Sequence, residues 1–365
     1  MSASLVHFSV CDDVSRILSA SVPDKMGKDI AQACKDYPNY ARLGSIGPDM
    51  PYFEKPVEGG LKMFLDIHVP ITPNAYVLHS KTPNLFAVNL FRLVLADSAD
   101  LAEEKHANLK LLAFSVGYLT HLATDHIIHP FVNDKAGKYY VRDENKARHR
   151  MIEIYHDVHL FKKMYSQDAN GDDLDPVKEF ANKDFEAKID IVDESFFDKL
   201  TGNFWDTELT FRVLLQRAFL ETYGMDVAEN TIEDWIDGAM LTLSNINHRV
   251  SPYTRALYKP QAEWQNLALK GNANDLTFFY DPDDAIVAFT RDIWRRDTQP
   301  GRAAETDTGT LAAAMQKTRN HSLYAKAILQ SVKYIQSADK YVEKKDTEAF
   351  ISAIPAWDLS DPKNR

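Results

Sequence analysis

VGYLTHLATDHIIHPFV, residues 116–132, reads as an apolar helix with a polar stripe set into it. His121, Asp125 and His129 recur at i, i+4 and i+8, and four-residue steps keep side chains on one helical face. Leu119, Leu122, Ala123, Ile127 and Ile128 surround that face with core-type residues, so the stripe is expected to be buried and must find partners. A divalent metal satisfies two imidazoles and a carboxylate together; a hydrogen-bonded His and Asp pair in a helix interface is the plainer alternative.

A second segment has the same habit. In ARHRMIEIYHDVHL, residues 147–160, His149 and Glu153 stand at i and i+4, with Asp157 one turn further. Two such helices facing one another can share a metal, although His149 with Glu153 also reads as a surface pair. Three more candidates lie upstream: His7 between Val6 and Phe8, Asp49 in GSIGPDMPYF, and His79 in YVLHSKTPN. His7 reads equally as a core histidine and Asp49 as a turn former. His79 is preferred to His68 because a serine and a turn-forming Thr-Pro follow it.

Outward from these segments, apolar spacings of three and four predict helices over 84–96, 98–132, 144–165, 206–224, 228–247 and 309–343. Strand-like alternation is scarce, and the expected class is all-α. The opening MSASLVHFSVCDDVSRILSA carries Asp12, Asp13 and Arg16 within its apolar stretch, which suits a first helix of the mature fold better than a signal peptide. Between Tyr37 and Pro83 the chain is rich in Pro, Gly and aromatics, which disfavours long helices and predicts an ordered surface loop. QDANGDDLDP, residues 167–176, resembles a calcium loop through Asp168, Asn170, Asp172 and Glu179, but Gly171 stands at the fourth position where the sixth needs it. A solvated turn is the alternative.

The chain has 365 residues, enough for one large domain or two ordinary ones, and 45 % of them are apolar, enough for a proper core. Ten of its twelve histidines fall before residue 160, so the expected division is a metal-binding catalytic core over 1–165 and a helical extension over 166–365, either separate or completing the same domain. A net charge of −11 disfavours a non-specific grip on nucleic acid but leaves a metal-dependent nuclease open. Cys11 and Cys34 exclude a disulfide framework, leave a single bridge between them open, and fit a reducing, cytoplasmic location. No stretch approaches the ~20 apolar residues that cross a bilayer, so any membrane contact would be peripheral.

Taken together, His7, Asp49, His79, His121, Asp125, His129, His149 and Glu153 resemble, in type and order, the ligands of the zinc-dependent phospholipase C and P1 nuclease family. The resemblance covers about residues 1–160, carried by H-x3-D on one helix, H-x3-E on the next, and GPDMPYF as an aspartate loop. It implies an all-α bundle with two or three zinc ions. Asp49, His79, His121 and Asp125 would hold one; Asp125 would bridge to a second held by His7; His129, His149 and Glu153 would hold the third. It further implies hydrolysis of a phosphodiester, most simply a phospholipid, by water activated at the metals, with Asp49 orienting or deprotonating that water.

Two departures follow. Secreted members use the free N-terminal residue as a ligand, whereas this chain starts MSAS, so the His7 site is expected to be incomplete, differently completed or absent. His129 follows Asp125 by only four residues and precedes Pro130, so the helix is expected to run regularly to His129. Other readings are a nuclease or nucleotidase on the same scaffold, an HD-type phosphohydrolase using His156 and Asp157, and a helical interaction protein with a structural metal or none. The aromatic segments PYF (51–53) and TFFYDP (277–282) read as core or as walls of an apolar cleft. Nothing beyond residue 165 ties to chemistry, and no nucleotide-binding glycine motif or G-x-S-x-G elbow is present.

Overall fold

Apolar residues at helical spacing dominate the chain. The computed structural model describes residues 4–21, 28–54, 73–97, 105–164, 204–246, 276–298, 311–317, 322–344, 346–354 and 356. Among these residues every regular element is a helix, and the fold is all-α. The first half supplies α1 (Ser4–Ser21), α2 (Lys28–Asp36), α3 (Pro38–Ser45), a 3-10 helix (Gly47–Phe53), α4 (Pro73–Ser80), α5 (Pro83–Asp97), α6 (Lys105–Ala136) and α7 (Asp143–Met164). The second supplies α8 (Phe204–Tyr223), α9 (Glu229–Ile246), α10 (Ala285–Thr298), α11 (Leu311–Lys317), α12 (Leu323–Lys344) and α13 (Thr347–Ala353).

The 32-residue α6 is the axis of the molecule. A helix that is apolar all round has to be buried all round, and α6 packs against α1, α2, α3, α5, α7 and α12. Its buried hydroxyls turn back on the helix: Thr120 Oγ1 donates to the Gly117 carbonyl and Thr124 Oγ1 to that of Thr120, both at 2.7 Å. Two glycines let α3 lie directly on α6. A Cβ at Gly44 would stand 2.0 Å from the Phe114 carbonyl oxygen, and one at Gly117 would stand 1.9 Å from that of Ala41. Only residues without a side chain allow this approach.

α12 closes the opposite side and is tied to the turn before α10. Asp284 Oδ2 accepts from the Ser322 amide at 2.9 Å and from its hydroxyl, while the Leu323 and Tyr324 amides donate to the Phe278 and Phe279 carbonyls at 2.8 and 2.9 Å. The Tyr324 hydroxyl reaches Asp13 on α1 at 2.8 Å. The backbone of Phe278 and Phe279 is thereby fixed against the first half of the chain.

Two expectations need correction. The segment between Tyr37 and Pro83 is no surface loop where it is described: it forms α3, the 3-10 helix and α4, and buries Gly47–Met50, Pro51 and Phe53. Its prolines keep the helices short by opening them at Pro38, Pro48 and Pro73 instead of preventing them. The single helix expected over 309–343 is two, α11 and α12. As expected, α6 runs regularly to His129; it then continues through Pro130 to Ala136, tolerating the loss of the one backbone hydrogen bond that a proline cannot donate. The calcium-like loop at 167–176 and His68 lie outside the described residues.

Candidate metal centre

Five elements bring the polar residues together. α6 carries His121, Asp125 and His129 on one face; α7, returning alongside, brings His149 and Glu153; the 3-10 helix presents Asp49; α4 presents His79. α1 delivers His7, and the means is Asp157. Its carboxylate, fully buried on α7, accepts from the Val6 amide at 2.9 Å and the Leu5 amide at 3.3 Å. The first amides of a helix lack intrahelical partners, so an acid from another helix here serves as the N-cap immediately before His7.

All eight sequence candidates converge and all are buried. Three groups have ligand atoms within 4.8 Å of one another: Asp49, His79 and His121; His7, His121 and Asp125; His129, His149 and Glu153. Asp125 is the hub. Its Oδ1 lies 3.4 Å from His7 Nε2 and 3.3 Å from His129 Nε2, and its Oδ2 lies 3.1 Å from His121 Nε2 and 3.9 Å from His79 Nε2. On one flank His79 Nε2 stands 3.2 Å from Asp49 Oδ1; on the other, Glu153 Oε1 stands 3.2 Å from His129 Nε2 and 3.0 Å from His149 Nε2.

These separations fit two chemistries, and the far sides of the rings choose between them. His121 Nδ1 lies 2.8 Å from the Ser45 carbonyl and His79 Nδ1 2.8 Å from that of Ala75, so each Nδ1 carries a proton and donates it. In the neutral ring Nε2 is then a lone pair, facing a carboxylate lone pair. Two acceptors at that range need a cation between them. Zinc bonds of about 2.0–2.1 Å in a tetrahedron set donors about 3.3 Å apart, which is the spacing seen. His121 Nε2 and Asp125 Oδ2 are accordingly buried without a hydrogen-bond partner. His149 Nδ1 is 3.2 Å from Asn133 Oδ1, which orients the third ring the same way. The donor set therefore fits zinc.

Electrostatics in the metal-free protein agrees. Burial works to raise the Asp125 and Glu153 carboxyls, but His121 beside the first and His149 beside the second outweigh it and hold both well below the usual range. Asp49 is likewise lowered, burial being overcome by His79 and then His121. Burial, helped by the neighbouring His121, pulls His7 down to about 4, and burial also lowers His149. His121 rises, because Asp125 beside it outweighs burial.

A small cavity adjoins the cluster, lined by Val6, His7, Thr124, Asp125, Ile128, His129, Glu153, His156 and Phe279. His156 lies outside the three ligand groups; its ring stacks on Phe279 at 3.9 Å. Asp157 is committed to the α1 amides, which leaves the His156 and Asp157 dipeptide unlike a metal-binding HD pair. On the other face stand tyrosines. Tyr52 packs on His79 at 5.8 Å and Tyr139 on His149 at 4.9 Å, and the Tyr52 and Tyr140 hydroxyls are 2.6 Å apart.

Sequence reasoning missed Tyr139, Tyr140, Arg150 and the placement of Phe279. The TFFYDP run flagged Phe279 as core or cleft wall, and it is both buried and cavity-lining. PYF divides similarly, with Pro51 and Phe53 buried and Tyr52 half-buried beside His79. The expected role of the first residue falls on positions 1–3, outside the described residues. Cys11 and Cys34 are both buried, free thiols.

Comparison with known families agrees with this geometry. The profile of the zinc dependent phospholipase C family matches residues 6–210, more than half of the chain, and the protein belongs to that family. All eight candidate ligands lie inside the matched range. No curated protein and no solved structure matched the chain.

Proposed function

We propose that this protein is a zinc metallohydrolase that cleaves phosphodiesters in the manner of a phospholipase C, with a phospholipid as substrate. The observation that carries the reading is Asp125, one carboxylate within reach of four imidazoles and common to the whole cluster. In this reading Asp49, His79, His121 and Asp125 would hold one zinc, His7 and Asp125 a second, and His129, His149 and Glu153 a third. Bound zinc would supply Lewis-acid chemistry, drawing charge from phosphoryl oxygens and lowering the pKa of water toward neutrality.

The protein's own groups do the rest. Asp49 stays ionised and, because its pKa is lowered, is a weak base and a steady acceptor; it orients the attacking water in preference to deprotonating it. Ser45, Ala75 and Asn133 fix the rings of His121, His79 and His149. Ile128, Val6 and Phe279 line the adjacent cavity with apolar surface. Among the described residues no helix is long and apolar enough to cross a membrane, so contact with a lipid surface is proposed as peripheral. The two free thiols favour a reducing, cytoplasmic setting as part of the same proposal.

A nuclease on the same scaffold is the second reading, favoured by Tyr52 and Tyr139 against His79 and His149, since bases stack on such rings. One experiment tests both. Metal content by mass spectrometry on protein purified without chelator is compared with His121→Ala and His149→Ala, followed by assays on phosphatidylcholine micelles and a dinucleotide. Two or three zinc ions per chain, reduced in the variants, with turnover of one substrate class, would support the reading and choose between the classes. Folded wild type without zinc would sink it.

A further inference from the structure

Arg150 stands one residue after His149, yet among the described residues no carboxylate pairs with it. Its Nε is buried without a hydrogen-bond partner, and its Nη2 donates to the Tyr139 hydroxyl at 3.3 Å. Arg150 as a whole is half-buried, but a donor nitrogen sealed from solvent is ordinarily matched by an acceptor, and an unmatched one asks for a ligand. Glu153, one turn along α7, acts on it only at a distance, after the nearer Tyr139 and Tyr52, and forms no ion pair with it; its Oε1 faces His129 and His149.

The arrangement offers donors only. By accepting from Arg150, the Tyr139 oxygen leaves its own O–H as a second donor. The Tyr139 ring stands 4.9 Å from His149 and 6.5 Å from Tyr52, so this pair of donors borders the metal centre on its tyrosine face. A cationic headgroup is repelled by such a pair, whereas the planar guanidinium fork suits the oxygens of phosphate or carboxylate.

We infer that Arg150 and Tyr139 form an oxyanion subsite beside the His129, His149 and Glu153 group, binding an acidic oxygen of the substrate. The inference deepens the proposed function and rests on it for the identity of the substrate. The oxyanion has two sources: a non-bridging oxygen of the phosphate being cleaved, or a further acidic group on the headgroup that retains that phosphate.

The test is titration of the zinc-loaded protein with inorganic phosphate by calorimetry, in wild type, Arg150→Met, Arg150→Lys and Tyr139→Phe. Loss of a charge-assisted contact should weaken phosphate binding about tenfold or more in Arg150→Met and severalfold in Tyr139→Phe, with Arg150→Lys between wild type and Arg150→Met. Zinc content, measured on the same samples, should not change. Unchanged phosphate affinity in Arg150→Met with zinc intact overturns the subsite. If Arg150→Met does not fold, Tyr139→Phe, which removes a single oxygen, decides by the same criterion.

Turnover of phosphatidylinositol and phosphatidylinositol 4-phosphate then separates the two sources. An equal loss of kcat/KM on both in Arg150→Met assigns the subsite to the scissile phosphate; a loss on the second alone assigns it to the headgroup. Phosphate binding needs no turnover, so a wild type that hydrolyses nothing sinks the functional reading while leaving the subsite to be decided by the titration.

Discussion

Gly117 on α6 lies so close to Ala41 on α3 that a Cβ there would stand 1.9 Å from the Ala41 carbonyl oxygen. The contact sits one turn before His121, whose Nδ1 donates to an α3 carbonyl one turn further on, that of Ser45, at 2.8 Å. Packing of two helices and orientation of a candidate ligand are thus one contact zone. Glycine to alanine inside a helix ordinarily stabilises by up to about 1 kcal/mol. Here Gly117→Ala should destabilise by about 1–3 kcal/mol, as overpacking does, and should lower zinc affinity as well. Urea denaturation of the metal-free protein together with a zinc titration reads both effects. A stabilised variant would show that α3 can retreat.

Asp157→Ala removes the acid that caps α1. The expected cost is about 1–2 kcal/mol from cap loss. A larger effect on zinc is expected in the group holding His7 than in the group holding His129, His149 and Glu153. Asp157→Asn, which keeps one acceptor, should fall between. Thermal melts with zinc stoichiometry on the same samples check this, and equal loss from every site would assign Asp157 to general stability.

Removal of zinc should lower stability. Any ligand held only by the folded state stabilises it, by about 4 kcal/mol at a free concentration a thousandfold above its Kd. A chelator should therefore lower Tm, and added zinc should restore it. A Tm indifferent to chelation in a protein that carried zinc would exclude strong coupling of the metal to folding.

The pH dependence has two signs. Zinc binding requires neutral imidazoles, and His121, raised above 6.5 by Asp125, must give up its proton. Zinc affinity should therefore rise with pH through and above 6.5, with proton release that calorimetry in two buffers detects. In the metal-free protein the same raised pKa contributes stability that is complete below 6.5 and lost as pH rises through the higher folded value. His7, lowered to about 4, acts oppositely: stability drops as pH falls from 6.5 toward 4, because the unfolded chain takes up a proton that the buried ring refuses. A zinc affinity that is flat from pH 6 to 8 would exclude His121 as a ligand.

The helical class and the clustering of the candidate ligands on α6 and α7 were legible because both are periodic. His121, Asp125 and His129 are on one face by arithmetic, as are His149 and Glu153. What periodicity does not carry is how separate elements meet. The short helices around Asp49 and His79 hide among prolines that punctuate a sequence without saying whether they start a helix or end one. Asp157 looked like the next member of a stripe, and its carboxylate is instead used on amides about 150 positions away. Tyr139 and Arg150 carried no pattern of their own; Arg150 follows His149 in the sequence, but only the fold brings the Tyr139 ring to His149 and its hydroxyl to Arg150.

Asp125 gives the centre a property of a different kind. Because its two oxygens face imidazoles on both sides, no one group can be altered in isolation through it. A lineage could trade His79 or His149 and weaken one corner, but a change at Asp125 would dissolve the whole arrangement in a single step. Variation among relatives is therefore expected at the periphery first, with this carboxylate the last residue to drift while any of the chemistry is retained.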